Sequence, residues 1–194
     1  MGKLLKHLKT VRTHRKYVRK MCWKMGLFWQ GLIHDLSKYS ITELKIAKYY
    51  GAGKSPHQWC REAIGYSPSW IHHYHKNKHH WEYWLDDDEN AKIIPIKMPY
   101  KYVIESFCDI VGASKAYGGK DWKPDAIWNY WITKCKGKRI MNKESEYLIE
   151  KLIWNLKELG EKRFLMWYKS TKKTYLKPLY ERDELQKEDS KIFC

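Results

Sequence analysis

Histidine and aspartate side chains occur in two groups whose types suit a metal ion. His34 and Asp35 are adjacent, and a histidine-rich stretch runs from His72 to His80. Neutral imidazole and carboxylate groups are the ligands that transition metals prefer in proteins. The two groups together predict a site for a divalent metal, and we expect any chemistry of the chain to take place there.

Two further candidate ligands lie on predicted helices. His14 falls within an apolar stripe, three residues after Val11 and four before Val18. Asp109 lies on a helix predicted to begin after Met98-Pro99, because proline suits the first turn of a helix. A buried imidazole or carboxylate is costly without a partner, and a metal ion is the strongest partner for a carboxylate. Alone, His14 would more often be a satisfied core residue; the neighbouring motifs favour a ligand.

The histidine-rich stretch does not by itself determine which of its members are ligands. If a helix continues from Trp70 through this stretch, His73, Asn77 and His80 share its inner face. Periodicity cannot exclude His79. The choice between His79 and His80 therefore stays open at this stage.

The elements that must position these residues are predicted to be helices. From Leu4 to Met25, apolar residues recur every three, four or seven positions, which is typical of an amphipathic helix packed on one face. Ser40 or Thr42 is expected to cap a later helix. The sequence predicts an all-α fold with further helices near residues 27–35, 42–50, 56–66, 68–80, 99–117, 126–134 and 143–159.

Length and composition predict a single domain. A chain of 194 residues with 43% hydrophobic content can bury one core and is short for two independent ones. We expect one helical domain over residues 1–170. Residues 171–194 are rich in charge and thin in apolar residues, so they are predicted to form a flexible or loosely docked tail.

The charge balance predicts an affinity for phosphate groups. Lys and Arg total 38 against 22 Asp and Glu, a formal net charge of +16. Such a field attracts nucleotides, other phosphate-containing small molecules and nucleic acid. A lysine-rich surface without a dedicated partner explains the same count.

Cysteine usage and hydropathy predict a cytoplasmic protein. The five cysteines are scattered singly, and an odd count fits reduced thiols better than a disulfide framework. Lysines interrupt the apolar residues at the N-terminus, unlike the apolar region of a signal peptide. No run of 18 apolar residues is present in the sequence, so we expect no membrane span.

The order of the candidate ligands resembles a known superfamily. His14, then His34-Asp35, then the histidines near 73–80, then Asp109 are similar to the pattern of the HD-domain superfamily, helical metal-dependent phosphohydrolases named for their His-Asp pair. The segment from His34 to Lys38, H-D-L-S-K, is similar to its H-D-x-G-K signature, with Ser37 in place of glycine. The adjacent His79 and His80 resemble the paired histidines of its cyclic-dinucleotide phosphodiesterases, but no Gly-Tyr-Pro follows them.

A closer resemblance is to an uncharacterised bacterial and phage family, a domain of unknown function. Its motifs are H-D-L-S-K, then W-x-x-H-x-x-x-N-x-H-H, seen here from Trp70 to His80, and then M-P followed by E-x-x-x-D, seen from Met98 to Asp109. The resemblance covers roughly residues 10 to 155. It implies action in a bacterial cytoplasm, or in that of the host for a phage-encoded member.

The resemblance implies two metal positions, most plausibly for Mn, Fe, Co or Zn ions. His34, Asp35 and Asp109, with His14, would hold the first metal. A second position beside it would be completed by the later histidines, with Asp35 bridging the two ions; these histidines are His73, His79 and His80.

Further roles follow for residues near the predicted metals. Lys38 would contact a phosphate, although an exposed lysine at a helix end is the plainer explanation. Asn77 would orient the substrate or a ligand, with an ordinary helix cap as the alternative. Glu105 would hydrogen-bond a ligand imidazole, or else pair with a lysine. Trp81, with Tyr83 and Trp84 beside it, is expected to stack on a base, although such residues are at least as often core filler.

The function predicted from these residues is hydrolysis of a nucleotide-like phosphomonoester or phosphodiester by metal-activated water, with Asp35, Lys38 and Glu105 as catalytic residues. Three rivals are consistent with the same ligand types. A histidine-rich site can hold two irons and activate oxygen, as in a few members of the superfamily. A basic protein can bind nucleic acid around a structural metal. An idle interaction protein would tolerate Asp35→Ala with no change beyond stability.

Overall fold

Helices make up most of the chain, as the sequence predicted. The computed structural model describes residues 2–51 and 53–192. Cys194 and the end of the predicted tail lie outside the described residues. The helices are α1 (Lys3–Met25), α2 (Phe28–Ile33), α3 (Ile41–Leu44), α4 (Pro56–Ile64), α5 (Pro68–Lys76), α6 (Tyr100–Gly118), α7 (Asp125–Tyr130), α8 (Lys143–Thr171), α9 (Lys177–Glu181) and α10 (Leu185–Ile192).

Shorter helical turns join these elements. Single turns of 3₁₀-helix occupy Leu36–Tyr39, Lys45–Tyr49, Trp81–Trp84 and Gly119–Asp121. Wider π-helical turns extend α7 and α8, at Trp131–Cys135 and Lys172–Leu176. The one pair of strands among the described residues is a small antiparallel hairpin, β1 (Leu85–Asp87) with β2 (Ile93–Pro95), in which Asp86 pairs with Ile94. The all-α class is therefore confirmed, with this hairpin as a minor addition.

The core lies where α1, α6 and α8 meet. Val18, Phe107 and Leu152 are fully buried, one from each of these helices. The α1 and α6 helices approach closely at Gly112, where an added Cβ would lie 2.3 Å from Val18 Cγ2 and 2.9 Å from Val18 N. Only a residue without a side chain fits there, and this contact sets the separation of the two helices that carry His14 and Asp109.

Helix boundaries follow local signals in most places. The Ser40 side chain accepts a hydrogen bond from Glu43 N and so caps α3, one of the two predicted caps. The predicted break at Ser67-Pro68 separates α4 from α5. Gly160 interrupts α8, as its backbone angles of φ 68° and ψ 162° are not helical. The predicted end of the helix at Gly160 is therefore confirmed, and a second helical segment of α8 begins after this kink and continues to Thr171.

The C-terminal segment is packed rather than loosely docked, contrary to the prediction for residues 171–194. Its few apolar side chains are spaced so that each reaches the core: Leu176, Leu179, Tyr180 and Leu185 are buried. The composition of this segment did not reveal its packing, because four buried apolar side chains are sufficient to anchor three short helical elements to the core.

Polar contacts also hold this segment to α8 and to the start of α6. The Tyr180 hydroxyl lies 2.8 Å from Ser145 Oγ and donates a hydrogen bond to Met98 O. Lys151 Nζ donates to both oxygens of Asp189 at 2.7 Å, and Tyr147 donates to one of them at 2.6 Å. Through these contacts, the described residues after 170 pack as part of the same helical structure as the rest of the chain.

No helix in the described ranges is both long enough and apolar enough to span a membrane. Within the same ranges, Cys22, Cys60, Cys108 and Cys135 are buried and free of disulfides.

Candidate metal centre

The close contact between α1 and α6 brings two of the predicted ligands together. His14 lies one turn before Val18 on α1, and Asp109 lies three residues before Gly112 on α6. The His14 Nε2 atom is 3.0 Å from Asp109 Oδ1. The crossing of α1 and α6 at Gly112 therefore brings these two side chains into contact.

A tight turn after α2 presents His34 and Asp35 to this pair. Asp35 has φ 54° and ψ 27°, a left-handed conformation that is unfavourable for a residue with a side chain. Arg15 secures the turn from outside, since its Nε donates to His34 O at 2.8 Å and its Nη2 to Leu32 O at 3.1 Å. The strained backbone turns the Asp35 carboxylate fully into the interior.

The first set of candidate ligands consists of His14, His34, Asp35 and Asp109, and one donor atom of each lies within 4.8 Å of every other. Nε2 of His14 and Nε2 of His34 are each 3.3 Å from Asp35 Oδ2. Nε2 of His34 is also 3.2 Å from Asp109 Oδ1. Two imidazole nitrogens and two carboxylate oxygens thus converge, as expected for the predicted first metal position.

The second set consists of Asp35, His73, His79 and His80, which meet the same distance condition. His73 Nε2 is 3.3 Å and His79 Nε2 is 3.5 Å from Asp35 Oδ1. The His80 ring lies with its centroid 4.7 Å from that of His73. Asp35 therefore presents one oxygen to each set.

The last two histidines do not share a helix with His73, unlike the arrangement that helical periodicity assumed. The α5 helix ends at Lys76, and Asn77 is extended with φ −122° and ψ 102°. A turn then returns the chain, which lets His79 and His80 both reach the second set. The choice between these two histidines was left open because the sequence analysis assumed that the helix continues to residue 80. In the structure it ends at Lys76, four residues earlier.

Two buried glutamates orient the ligand imidazoles from behind. Glu105 Oε1 is 3.1 Å from His34 Nδ1 and 3.3 Å from His79 Nδ1, so one carboxylate serves one histidine of each set. Glu43 Oε2 is 2.8 Å from His73 Nδ1. A carboxylate only accepts hydrogen bonds, so Nδ1 carries a proton in each case and the Nε2 atom is the one that faces Asp35.

Glu105, His34 and His79 are also close enough together to share an ion by themselves. We assign Glu105 to orientation instead, because the Nε2 atoms of both imidazoles face Asp35. The predicted hydrogen bond from a ligand imidazole to Glu105 is present. A lysine partner, the alternative for Glu105, is not among its contacts in the described chain.

Buried polar atoms without hydrogen-bond partners collect at one place. Among the described residues, they include both oxygens of Asp35 and the Nε2 atoms of His14, His73, His79 and His80. Unsatisfied buried groups are costly, and native proteins contain few of them. Lone pairs aimed at a common space fit cations, so the residues present suit the divalent metals that the sequence predicted.

Electrostatics keep the two carboxylates and His80 in forms suited to metal binding. Burial opposes ionisation of Asp35 and Asp109, but the neighbouring histidines hold the pKa of each carboxyl well below its usual range. Burial lowers the pKa of His80 well below its usual value and keeps that imidazole neutral. Burial also disfavours charge on His34, yet Asp35 and Asp109 raise its pKa well above the usual value. A metal would take the place of that proton.

The remaining predicted residues surround the two sets. Lys38 Nζ is 2.5 Å from Asp35 Oδ2. Asn77 Nδ2 donates to Ser37 Oγ and to His73 O, both at 2.7 Å, and so ties the end of α5 to the His34-Asp35 turn. Trp81 is half-buried and packs against the hydrophobic core.

Sequence reasoning missed Glu43, Ser37 and Arg15. Glu43 lies three residues after the Ser40 cap, a position where glutamate commonly completes a capping box. From the sequence, Glu43 therefore looks like a residue with a local role in α3. Its contacts are instead with His72 and His73, which lie about 30 residues further on. Ser37 was noted only as a departure from glycine, although its hydroxyl lies 3.3 Å from His73 Nδ1.

The part of the chain that matches a known family contains every residue of both ligand sets. A family of unknown function, DUF5662, matches residues 3–155. The chain belongs to this DUF5662 family. No match was found among curated proteins or among solved structures. The DUF5662 region includes His14, Asp35 and Asp109 and ends within α8, before the C-terminal helices. Membership of an uncharacterised family is thus confirmed.

Proposed function

We propose that this DUF5662 protein is a dinuclear metal-dependent phosphohydrolase that cleaves a phosphate ester of a nucleotide-like molecule. The observation that carries the proposal is the position of Asp35, whose Oδ2 faces His14 and His34 while its Oδ1 faces His73 and His79. A carboxylate shared in this way is what two adjacent cations require. The similarity of the ligand order to the HD-domain superfamily supports the same chemistry.

The ligand sets supply what such a reaction needs. Two adjacent divalent ions, held by these residues, would lower the pKa of a bound water to about 7 and clamp a phosphoryl oxygen. Imidazole and carboxylate ligands suit Mn, Fe, Co and Zn. The protein provides the fixed geometry, since Glu105 and Glu43 hold three of the imidazoles through their Nδ1 atoms.

The exposed edge of the centre indicates where a substrate enters. The side chains of His73 and His79 are almost fully buried, whereas those of Asp109 and Lys38 keep about a fifth of their surface exposed, at 20% and 22%. His80 of the second set is partly exposed as well. We place the approach of a phosphate ester beside Lys38, the cation at this edge. There the Lys38 ammonium can leave its contact with Asp35 and neutralise the charge of an incoming phosphate.

The division of labour among the chain's residues follows from these contacts. Asp35 bridges the sets, and Lys38 binds the substrate phosphate. Glu105 touches imidazoles and not the exposed edge, so it acts as a positioning residue. Asn77 acts in the same way, because it fixes Ser37 against the end of α5. The burial of His73 and His79 limits the access of bulk water to their part of the centre.

Elemental analysis of the untagged protein tests this proposal. We expect about two equivalents of Mn, Fe, Co or Zn per chain, in line with two-metal sites, and cleavage of bis(p-nitrophenyl) phosphate or of nucleotides. Asp35→Asn should lose both metal and activity. Asp86→Asn, which changes an exposed carboxylate of the hairpin, is the matched control and should lose neither.

The other outcomes of this experiment separate the rival functions. A wild-type protein without metal, even after reconstitution, would overturn the proposal. Metal without hydrolysis of any phosphate ester would favour a structural metal in a basic binding protein. Iron as the only bound metal, with oxygen consumption and no hydrolysis, would favour a diiron oxygenase with the same ligand types.

A further inference from the structure

The outer face of α1 carries positive charge without any acidic residue. Asp35 is the first acidic residue of the chain, and Glu43 is the second. The basic residues of α1 are Lys3, Lys6, Lys9, Arg12, Arg15, Lys16, Arg19, Lys20 and Lys24. Of these, only Lys24 forms an ion pair within the described chain, with Glu161. The charge of this face is therefore free to meet a polyanion.

Part of this charge lines a cleft beside the His34-Asp35 turn. The basic cleft has a volume of about 280 Å³ and is lined by Arg12, Arg15, Lys16, Arg19, Gly31 and Tyr39. Arg15 is engaged, since its guanidinium caps the turn and lies 5.2 Å from the centre of the Tyr39 ring. Arg12 and Lys16 are exposed and have no acidic partner among the described residues. The cleft thus offers charge that the fold itself does not use.

Exposed aromatic rings adjoin the cleft, since the Trp23 ring lies beside two of its lining residues, Arg19 and Gly31. Trp23, Phe28 and Trp29, here termed the aromatic platform, are 44%, 53% and 70% exposed. The Trp23 and Phe28 rings stack at 5.4 Å with an interplanar angle of 18°, and Arg19 lies 5.5 Å from the centre of the Trp23 ring. Large aromatic rings that pack against each other while facing water indicate a binding surface.

We propose that the basic cleft and the aromatic platform bind a single strand of nucleic acid. Cations that follow a backbone and aromatic rings that stack on bases are the two features of single-strand binding surfaces. A duplex would leave the platform unused because its bases are already stacked. Tyr39 of the cleft is adjacent to Lys38 at the exposed edge of the metal centre, so the bound strand leads toward that centre.

This inference deepens the proposed function by naming single-stranded nucleic acid as the substrate class, and it rests on that function only for cleavage of the strand. Binding of the strand requires no catalysis. The two claims therefore fail separately.

Fluorescence anisotropy of the metal-loaded wild-type protein with a labelled 12-residue oligothymidylate tests the binding. We expect tighter binding to this strand than to a 12-base-pair duplex. The variant R12Q/K16Q/R19Q should bind at least about 10-fold more weakly. It should also reduce the slope of log affinity against log salt by about two, because each single-strand phosphate contact contributes about 0.7.

Two further variants make the test specific. K162Q/R163Q/K169Q removes the same charge from exposed positions of α8 and should retain the wild-type affinity and salt slope. Trp29→Ala should weaken binding by about 10-fold with an unchanged salt slope, because it removes stacking and no charge. Metal content, measured on every variant, should stay at the wild-type value and so report an intact fold.

Equal affinity for the strand and for the duplex would overturn the proposed binding surface. So would an equal loss of affinity in the two triple variants. Equally tight binding of polyglutamate would also overturn it and would indicate an acidic protein partner. A strand that binds as expected but is recovered intact by gel, with no other phosphate ester cleaved, would overturn the proposed function alone. Cleavage of bis(p-nitrophenyl) phosphate without strand binding would overturn the binding surface alone.

Discussion

Glu105 Oε1 lies 3.1 Å from Nδ1 of His34, on the side of the imidazole that faces away from Asp35. The same oxygen is 3.3 Å from His79 Nδ1. One carboxylate on α6 therefore fixes the ring orientation of a histidine in each candidate ligand set. Both candidate ligand sets therefore depend on this residue, which we assign to neither of them.

Replacement of Glu105 by glutamine should weaken both metal positions. The amide removes the negative charge that makes the two imidazoles better ligands, and such changes cost about 10- to 100-fold in metal affinity. Competition with a chelator, followed by elemental analysis, would measure this. Glu62→Gln, an exposed carboxylate that pairs only with Lys54, is the control. Unchanged affinity in Glu105→Gln would contradict the assigned orientation.

Replacement of Glu43 by glutamine should affect the second set alone. Glu43 contacts His73 and His72 but no member of the first set. Metal affinity at the second position should fall by about 10-fold, the lower end for such partners, and that at the first should not change. Stepwise titration of the metal-free protein with Co²⁺, followed by its visible absorption, would resolve the two positions. Equal loss at both would argue against two separate sets.

Removal of metal should destabilise the fold. Both oxygens of Asp35 and the Nε2 atoms of four histidines are buried without hydrogen-bond partners, and a ligand that binds only the folded state at 1,000 times its Kd adds about 4 kcal/mol. For a chain of this size that corresponds to a fall in Tm of about 8–16 °C on treatment with EDTA. Differential scanning calorimetry would measure it. The Tm of Asp35→Asn should not respond to EDTA; a similar response in both proteins would refute metal binding at this residue.

Gly112→Ala should separate α1 from α6. The new Cβ would lie 2.9 Å from the backbone nitrogen of Val18, which cannot rotate away as a side chain can. We expect a loss of about 2 kcal/mol and a fall in Tm of about 4–8 °C, together with weaker metal binding at the first set. Gly2→Ala, where a Cβ would meet nothing within 4 Å, is the control. Unaltered metal binding would mean that the helix crossing does not set the distance between His14 and Asp109.

Tyr180→Phe should destabilise the whole protein if the C-terminal segment belongs to the same body. The substitution leaves Met98 O and Ser145 Oγ without the hydroxyl that each contacts, at a cost of about 1–3 kcal/mol. Urea denaturation followed by tryptophan fluorescence would measure this loss. Tyr117→Phe, at an exposed ring, should leave the midpoint unchanged. A stability equal to that of the wild type would favour the loosely docked tail that composition predicted.

Local patterns were sufficient for most of the fold. The apolar spacing of α1, the cap at Ser40 and the proline at position 68 all act within one or two turns, so the sequence expresses them directly. The ligand types also stand out, because His34-Asp35 and the paired histidines are rare combinations. The all-α class and the convergence of the candidate ligands could thus be predicted.

The features that could not be predicted depend on contacts between distant segments. The end of α5 at Lys76 is stabilised by hydrogen bonds from Asn77 to Ser37 and to His73 O, only one of which is local. Tyr180 reaches Met98 across 82 residues, so the composition of the last segment could not reveal its packing. Glu43 reaches His73 across 30 residues in the same way.

The spread of the ligands along the chain affects how the protein is made. His14 leaves the ribosome early, but its partner Asp109 follows 95 residues later. His14 of α1 and His34 of the turn after α2 therefore lack a complete set of neighbouring ligands until α6 has emerged and packed against α1 at Gly112. An ion that arrives earlier finds only fragments of its site. If the two sets hold metal as we propose, loading is consequently a late step of maturation, and the choice among competing ions is made after α6 has packed against α1.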